Sequence, residues 1–149
     1  METAATTPIR IERRVSASPT RAFEVFFHQI DSWWPLGTHS VHGERGTVIV
    51  EAGPQGRIVE HPAEGEDIEW ARVEVWDPPR RLVLRWHPNP ERSGDTEVEV
   101  RFTPDGDGTM VELEHRGWEH IGPEGSEIRG EYDTGWIPVL DRFRELVGG

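Results

Sequence analysis

Residues 96–116 read TEVEVRFTPDGDGTMVELEHR. Apolar and polar side chains alternate from Glu97 to Phe102 and again from Thr109 to Arg116, as in strands with one buried face. Between the two runs lies Asp105-Gly106-Asp107-Gly108, a sequence typical of tight turns. The stretch therefore predicts an antiparallel hairpin. His115 shares the apolar parity of its strand, so we expect its ring to point inward.

Alternation of the same kind extends in both directions along the chain. Further strands are predicted over Ile9–Val15, Thr47–Glu51, Arg57–His61, Ile68–Trp76 and Arg81–His87. The second and third of these flank Gly53-Pro54-Gln55-Gly56, a hairpin signal, so Glu51 and Arg57 are expected to form an ion pair at the sheet edge. Asp77-Pro78-Pro79 must end the fourth, because proline cannot donate to a β-ladder.

Two segments instead show helical spacing. Ser18-Pro19 supplies an N-cap with proline at the first helical position, and apolar residues then recur from Ala22 to Ile30. Near the C-terminus a second apolar stripe comprises Ile128, Tyr132, Trp136, Leu140, Phe143 and Val147. Pro138 interrupts this stripe, so we expect the regular part of the helix to begin near Thr134. The order strand, helix, six-strand meander, long helix predicts an α+β fold with an antiparallel sheet covered by the C-terminal helix.

The composition excludes several functional classes. The chain has 149 residues with 28 acidic and 16 basic side chains, a formal net charge of −12. This charge disfavours binding to nucleic acid or to an anionic membrane surface. The absence of cysteine excludes disulfides, thiolate metal sites and a cysteine nucleophile. No signal peptide or membrane-spanning run is visible, and we expect a cytoplasmic protein with a single domain over 1–149, ordered from about 9 to 147.

Local patterns along almost the whole chain are more specific than the architecture. They are Trp33-Trp34-Pro35, Thr38-His39-Ser40-Val41, Gly56-Arg57 with Glu60, Trp70 with Val73, Pro78-Pro79-Arg80-Arg81-Leu82 through Trp86, Glu97-Val98-Glu99-Val100, Gly108-Thr109, Glu112-Leu113-Glu114-His115 and Gly135-Trp136. Together they resemble the START-like (SRPBCC) superfamily. Within this superfamily, the chain most resembles the branch of proteins similar to the C-terminal domain of the activator of heat-shock-protein-90 ATPase. The resemblance implies a helix-grip fold, in which a curved antiparallel sheet wraps around a long C-terminal helix.

The resemblance does not by itself name a function, because relatives include lipid and steroid carriers, cyclases and dehydratases, stress-response proteins and chaperone activators. We expect a small apolar or aromatic molecule to bind in a cavity between the sheet and the C-terminal helix. The predicted contacts are Trp34, His39, Glu60, Trp86, His115, Tyr132 and Trp136. Indole and phenol rings stack on flat apolar ligands, and their polar tips fix orientation. No cofactor is expected, and whether the protein is an enzyme stays open, with binding favoured.

Two alternatives remain open. One is a cyclase-like or dehydratase-like enzyme that uses His115 and Glu60 as a proton-transfer pair. Against it, a buried histidine is more often held by a neighbouring hydroxyl or carbonyl, and a solvated Glu60 is favoured over an inward one. The other is an interaction module for a chaperone or stress regulator, which requires an exposed apolar patch. A chain of 149 residues is too short to hold the second, N-terminal domain of the eukaryotic activator. A homodimer is also left open.

The remaining candidates are assigned no chemistry. His39 and His42 form a His-x-x-His pair, but without a defined helix and a third ligand no metal site is predicted. Strand parity places Trp70 and Trp76 on the outer face unless a bulge intervenes, and outward indoles would favour the interaction module. The strand glutamates Glu97, Glu99, Glu112 and Glu114 are expected to be solvated on that outer face.

Overall fold

The computed structural model describes residues 8–33, 47–61, 66–86, 96–118 and 125–147. In chain order the elements are β1 (Ile9–Val15), α1 (Pro19–His28), α2 (Ile30–Trp33), β2 (Thr47–Val50), β3 (Arg57–His61), β4 (Ile68–Asp77), β5 (Arg81–Trp86), β6 (Thr96–Asp105), β7 (Gly108–Arg116) and α3 (Gly125–Val147). No helix within these ranges is both long and apolar enough to cross a membrane.

The strands form one antiparallel sheet in the order β1-β7-β6-β5-β4-β3-β2. Strands that follow one another from β2 to β7 are neighbours, and β1 returns to pair with β7, where Ile9 lies opposite His115. The predicted hairpin is confirmed, with Asp105 paired to Gly108 across its turn. The sheet curls around α3, so the predicted α+β helix-grip fold is also confirmed.

The first helix forms as its sequence predicts. The Ser18 side chain accepts a hydrogen bond from the backbone N–H of Arg21 at 3.2 Å, and Pro19 occupies the first turn. Phe23 and Phe26 lie on its buried face. Phe23 packs on Phe102 of β6 with ring centroids 5.2 Å apart, which places α1 on the inner face of the sheet.

The main core lies between the sheet, α1 and the C-terminal half of α3. Its inward strand residues are almost entirely aliphatic or phenylalanine: Val73, Leu82, Leu84, Val98, Val100, Phe102, Val111 and Leu113. From α3, Phe143 meets Phe26 at 5.3 Å and Trp33 at 5.3 Å between ring centroids. This end of the fold is apolar and closely packed, as expected for a structural core.

The C-terminal helix is longer than predicted. It runs without a break from Gly125 to Val147, so the expectation that its regular part begins near Thr134 is wrong. Pro138 lies inside it and cannot donate to the carbonyl four residues earlier. Packing of Trp136 and of the residues after it against the sheet therefore maintains the helix across this position.

Two bulges correct the predicted orientation of Trp70 and Trp76. In the pairing of β3 with β4, Ile58 lies opposite Ala71 and Val59 opposite Glu69, so Trp70 is the extra residue and is buried. A second irregularity in the pairing of β4 with β5 shifts the parity again, and Trp76 packs on α1. Simple alternation fails at these positions because a bulge adds one residue to one strand only.

The outer face of the sheet carries cross-strand pairs of arginine and glutamate. Glu51 and Arg57 form the predicted edge pair through two hydrogen bonds of 2.8 and 2.9 Å. Glu99 is not solvated as expected, since only 4% of its side chain is exposed beneath Arg81, Arg101 and Arg116. These three guanidinium groups outweigh the desolvation of the carboxylate and lower the pKa of Glu99 to about 2.

The free edge of β1 is tied to α3. Arg144 of α3 donates a hydrogen bond from Nε to the backbone carbonyl of Arg14 at 3.1 Å. Arg13 bonds Asp141 of α3 at 3.1 Å, and its Nη1 donates to the carbonyl of Glu12 at 2.8 Å. Two carbonyl groups that point away from β7 are thus occupied by arginine side chains.

Candidate functional site

One end of the inner face differs from the aliphatic core. Six rings gather there, which we call the aromatic cluster: Trp70, Trp86, His115, Trp118, Tyr132 and Trp136. Trp86 is central, with ring centroids 5.5 Å from Trp136, 6.2 Å from His115 and 6.4 Å from Trp70. Strands β4, β5 and β7, the segment after β7 and the N-terminal half of α3 thus bring these rings together.

His115 is fixed by hydrogen bonds at both ring nitrogens. Trp136 donates from Nε1 to His115 Nδ1 at 3.0 Å, and an indole nitrogen can only donate. The His115 Nδ1 atom must therefore be unprotonated, and the neutral ring carries its proton on Nε2. That proton points to Thr96 Oγ1, 2.7 Å away. The ring is thus held in a single tautomer by two neighbours.

The environment of His115 keeps it uncharged. The side chain is fully buried, and burial lowers the pKa of its imidazole to about 3. A general acid or base works best with a pKa near the ambient pH, and this ring is far from that condition. The geometry therefore assigns His115 to the buried, satisfied histidines rather than to proton transfer.

The hydrogen bonds continue from His115 to both sides of the cluster. Thr96 Oγ1 donates to the backbone carbonyl of Trp86 at 3.4 Å, while Trp86 Nε1 donates to the hydroxyl of Tyr132 at 3.1 Å. Trp118 Nε1 donates to the carbonyl of His115 at 3.1 Å. The sheet and α3 are therefore connected through side-chain polar groups as well as through ring packing.

Glu60 is the charged member of this region. It lies on β3 opposite Val48 and Ile68, and its side chain is fully buried, so the expectation of a solvated Glu60 is wrong. Trp70 Nε1 donates to Glu60 Oε1 at 3.0 Å. The carboxylate is thus attached to the cluster through the bulged Trp70.

The sheet order separates Glu60 from His115. Three strands lie between β3 and β7, which corresponds to about 19 Å along the sheet at the usual spacing of strands. The structure therefore does not bring these two residues together as the predicted proton-transfer pair.

The other predicted site residues divide into two groups. Trp86, His115, Tyr132 and Trp136 meet in the aromatic cluster. Trp34 and His39 lie outside the described residues, as does His42. Across the part of the chain that is described, no three or more histidine, aspartate or glutamate side chains are grouped so as to hold a metal ion.

Sequence reasoning missed three members of this region, namely Trp70, Thr96 and Trp118. A signal for Trp70 exists in the sequence, because the apolar parity changes from Trp70 to the adjacent Ala71 before continuing at Val73. Two adjacent buried residues inside a strand are typical of a bulge. Trp118 follows the last strand, where alternation no longer predicts direction.

Comparison with known proteins identifies relatives. The family model for Activator of Hsp90 ATPase homolog 1-like protein matches residues 16–148. The anthrahydroquino-γ-pyrone synthase Txn09 is 30% identical, with 97% of this chain and 100% of that chain covered and a TM-score of 0.66. A search of curated proteins found no match.

Two further solved structures share the fold at lower identity. Protein MLL2253 from Mesorhizobium loti is 19% identical over 94% of this chain and 96% of its own, with a TM-score of 0.70. The Aha1 dimer from Colwellia psychrerythraea is 16% identical over 95% and 96%, with a TM-score of 0.67. These structures share the sheet and the C-terminal helix of this protein. Because the family model covers most of the chain, the chain belongs to the family of Activator of Hsp90 ATPase homolog 1-like proteins.

Proposed function

We propose that the protein binds a small, flat aromatic molecule among the rings of the aromatic cluster, between the sheet and the N-terminal half of α3. The observation that carries the proposal is the contrast between the two ends of the inner face. Next to α1 and the C-terminal half of α3, the core consists of aliphatic and phenylalanine side chains together with Trp33. The other end combines Trp70, Trp86 and Trp136 with the buried carboxylate of Glu60.

A structural core does not require such a carboxylate. Burying a charged or polar group costs free energy that its partners must offset, whereas apolar residues at the same place would not incur that cost. Pockets that bind small molecules typically combine aromatic walls with a few placed polar groups. Glu60 with its indole partner fits that description better than it fits a packing role.

The relative Txn09 supports an aromatic ligand. Txn09 is an anthrahydroquino-γ-pyrone synthase, and its name is that of a flat, fused-ring product. At 30% identity over nearly the full length of both chains, the ligand class is a reasonable starting point for this protein.

Ligand entry requires a local opening. Trp70, Trp86, His115 and Trp136 are each no more than 4% exposed, whereas Tyr132 is partly exposed on α3. The backbone bond missing at Pro138 makes the helix weakest just after Trp136. We propose that the part of α3 before Pro138 moves away from the sheet to admit the ligand.

The seven indole groups of the chain allow a direct test. Protein labelled with ¹⁵N at the indole nitrogens is titrated with 2-methoxynaphthalene and followed by ¹H–¹⁵N correlation spectra, with peaks assigned by Trp→Phe variants. The cross-peaks of Trp70, Trp86 and Trp136 should shift. Trp33 is the internal control, because its Nε1 donates to the carbonyl of Val25 in the apolar core. Saturable shifts of Trp33 alone, or none at all, would overturn the proposal.

The enzymatic alternative remains open for Glu60 but no longer includes His115 as its proton-transfer partner. The synthase activity of Txn09 favours it, and a buried carboxylate is a suitable proton acceptor. His115 does not fit the role of its partner, given its two engaged ring nitrogens and its lowered pKa. An enzyme of the cyclase kind would therefore depend on Glu60, and loss of turnover in Glu60→Gln with retained ligand binding would distinguish it from a binding protein.

An outward-facing Trp70 or Trp76 would have favoured the interaction module. Neither residue is exposed on the outer face of the sheet. Among the described residues, the large apolar side chains that are exposed are Ile49, Ile137 and Leu146, one on an edge strand and two on α3. A chaperone partner and a homodimer remain predictions.

A further inference from the structure

The imidazole of His115 has a single atom at which it can take up a proton. Its Nε2 atom already carries one, directed at Thr96, and its Nδ1 atom accepts the bond from Trp136 Nε1 at 3.0 Å. An incoming proton and the Trp136 indole therefore compete for the same lone pair. Because Trp136 belongs to α3 and His115 to β7, this competition decides whether a contact between helix and sheet can form.

The bond from Trp136 lies on the less firmly held half of the helix. Trp136 precedes Pro138, which cannot donate a backbone hydrogen bond, and the His115 side chain is fully buried while the helix lies on the sheet. When this half of α3 moves away, the Nδ1 atom loses its indole donor and becomes accessible to water. The movement proposed for ligand entry thus uncovers the atom that binds the proton.

From this geometry we infer that the bond between Trp136 and His115 is an acid-sensitive latch on the ligand site, closed while His115 is neutral and released when its Nδ1 atom is protonated. The inference rests on the proposed function and adds to it the regulation of access to the site. In the closed protein His115 is neutral whether or not a ligand is present. The latch therefore changes how fast a ligand enters and leaves, and it leaves the affinity unchanged.

The surroundings of His115 contain no second group that titrates in acid. Among the described residues, the side chains that lie against the imidazole come from β1, β5, β6, α3 and the segment after β7: Ile9, Trp86, Thr96, Tyr132, Trp136 and Trp118. Of these, Tyr132 is titratable, and a phenol stays neutral in acid. Burial lowers the pKa of His115 to about 3, and exposure in the open form returns it toward 6.5. Only the open form then binds the proton, so opening should increase about thirtyfold between pH 7.5 and pH 5.

The rates of ligand exchange test the latch on the unmodified protein. 2-Methoxynaphthalene has no group that titrates in this range, so its own charge does not change. Stopped-flow fluorescence should show association and dissociation both accelerating by about thirtyfold between pH 7.5 and pH 5, while the Kd changes by less than about twofold. A change of one rate alone, with a Kd that follows the pH, would indicate a direct contact between ligand and His115 and would overturn the inference.

A second measurement needs no ligand. The exchange rate of the Trp136 indole proton with water, compared with that of N-acetyltryptophanamide at the same pH, reports the opening of the helix. This protection should fall about thirtyfold over the same pH range. The Trp33 indole donates to the carbonyl of Val25 in the apolar core and reports global unfolding instead. Trp136 should be less protected than Trp33 at both pH values, and equal protection would overturn the inference.

Variants identify the group that takes up the proton. His115→Gln keeps a donor and an acceptor but cannot be protonated, so its exchange rates should change by less than about threefold between the two pH values. The matched control is His28→Gln, an exposed position on α1 beside Trp76, and it should keep the full change. Trp136→Phe covers the case in which His115→Gln fails to fold. Without the indole donor, association at pH 7.5 should be about fivefold faster, and an unchanged rate would overturn the inference.

The outcomes separate the inference from the proposed function. Binding of 2-methoxynaphthalene with rates and Trp136 protection that do not depend on pH would overturn the latch and leave aromatic binding intact. A pH dependence retained in His115→Gln would place the titrating group elsewhere and also overturn it. Failure of the probe to bind at either pH would overturn the proposed function, whatever the protection of Trp136.

Discussion

His115 shows how one side chain can link several elements without chemical reactivity. Its Nδ1 accepts from Trp136 of α3, and its Nε2 donates to Thr96 of β6. The bond from Trp136 requires the neutral ring, because a protonated imidazole has no acceptor for an indole N–H. Protonation would therefore cost the contact with α3 as well as the free energy of placing a charge in a buried site.

Stability should for this reason fall in mild acid. The pKa of His115 is about 3 in the folded protein, against a usual value of 6.5 in the unfolded chain. Between these pH values only the unfolded state binds the proton, so unfolding becomes easier as the pH decreases. The slope is about 1.4 kcal/mol per pH unit, or roughly 2 kcal/mol between pH 7 and pH 5. Urea unfolding followed by circular dichroism measures it.

A variant separates the contribution of His115 to the pH dependence of stability from the contributions of other titratable groups. His115→Gln keeps one acceptor and one donor but cannot titrate, so its stability should change less between pH 7 and pH 5 than that of the unmodified protein. Identical slopes in His115→Gln and the unmodified protein would contradict the assignment.

Strand parity predicts that His115 and Trp86 point inward, and the structure confirms both orientations. It does not predict their partners, because the bond from Trp136 joins residues 21 positions apart through the docking of a helix. The prediction that Glu60 is solvated was wrong for a related reason. A carboxylate on a strand is ordinarily solvated, and the indole that makes its burial tolerable lies at a bulge ten residues away.

At the scale of the element, α3 consists of two halves with different surroundings. After Pro138, Val139, Leu140 and Phe143 are buried in the apolar core. Before it, Tyr132 and Trp136 reach the sheet through hydrogen bonds to Trp86 and His115. The helix is therefore anchored more firmly on one side of the proline than on the other.

Replacing this proline should stiffen the helix. Pro138→Ala restores a backbone N–H that can donate to the carbonyl four residues earlier, and we expect a gain in stability of about 1–2 kcal/mol. Hydrogen exchange measured by mass spectrometry should slow in residues 125–137, and association of 2-methoxynaphthalene should slow as well. Ile137→Ala alters the exposed neighbour and serves as the control. Unchanged exchange in Pro138→Ala would show that the proline does not weaken the helix.

At the scale of the whole molecule, the net charge of −12 is distributed over a sheet whose outer face is covered by ion pairs. Most pairs are partly exposed and contribute little each. Glu99 is the exception, because its buried carboxylate joins arginines from three strands, Arg81, Arg101 and Arg116. It connects β5, β6 and β7 on the face opposite the aromatic cluster.

Loss of this carboxylate should therefore lower the stability of the sheet as a whole. Glu99→Gln is expected to lower stability by about 1–3 kcal/mol at pH 7, whereas Glu12→Gln on the same face should change it by less than about 0.5 kcal/mol. Because the pKa of Glu99 is lowered to about 2, its contribution is present above pH 4.5 and is lost as the pH falls toward 2. Thermal unfolding of both variants provides the measurement, and equal effects would contradict the special position of Glu99.

The overall architecture was accessible from sequence because periodicity alone distinguishes the strands from the helices, and strands β2 to β7 are neighbours in chain order. The pairing of β1 with β7 does not follow from any turn. The bulges at Trp70 and Glu74 could not be predicted from the sequence, because each depends on how a strand bends against its neighbour. The same limit applies to the site. Its rings were foreseen individually at Trp86 and Trp136, whereas the network that joins them depends on the curvature of the sheet.

The arginines along β1 have a further consequence. An edge strand with open carbonyl groups can accept a strand from another molecule and so begin aggregation. Here the carbonyls of Glu12 and Arg14 are already occupied by the guanidinium groups of Arg13 and Arg144, and Arg13 is held in turn by Asp141. The C-terminal helix thus protects the sheet from adding a neighbour's strand on this side, and a chain whose helix has come loose would be prone to self-association as well as less stable.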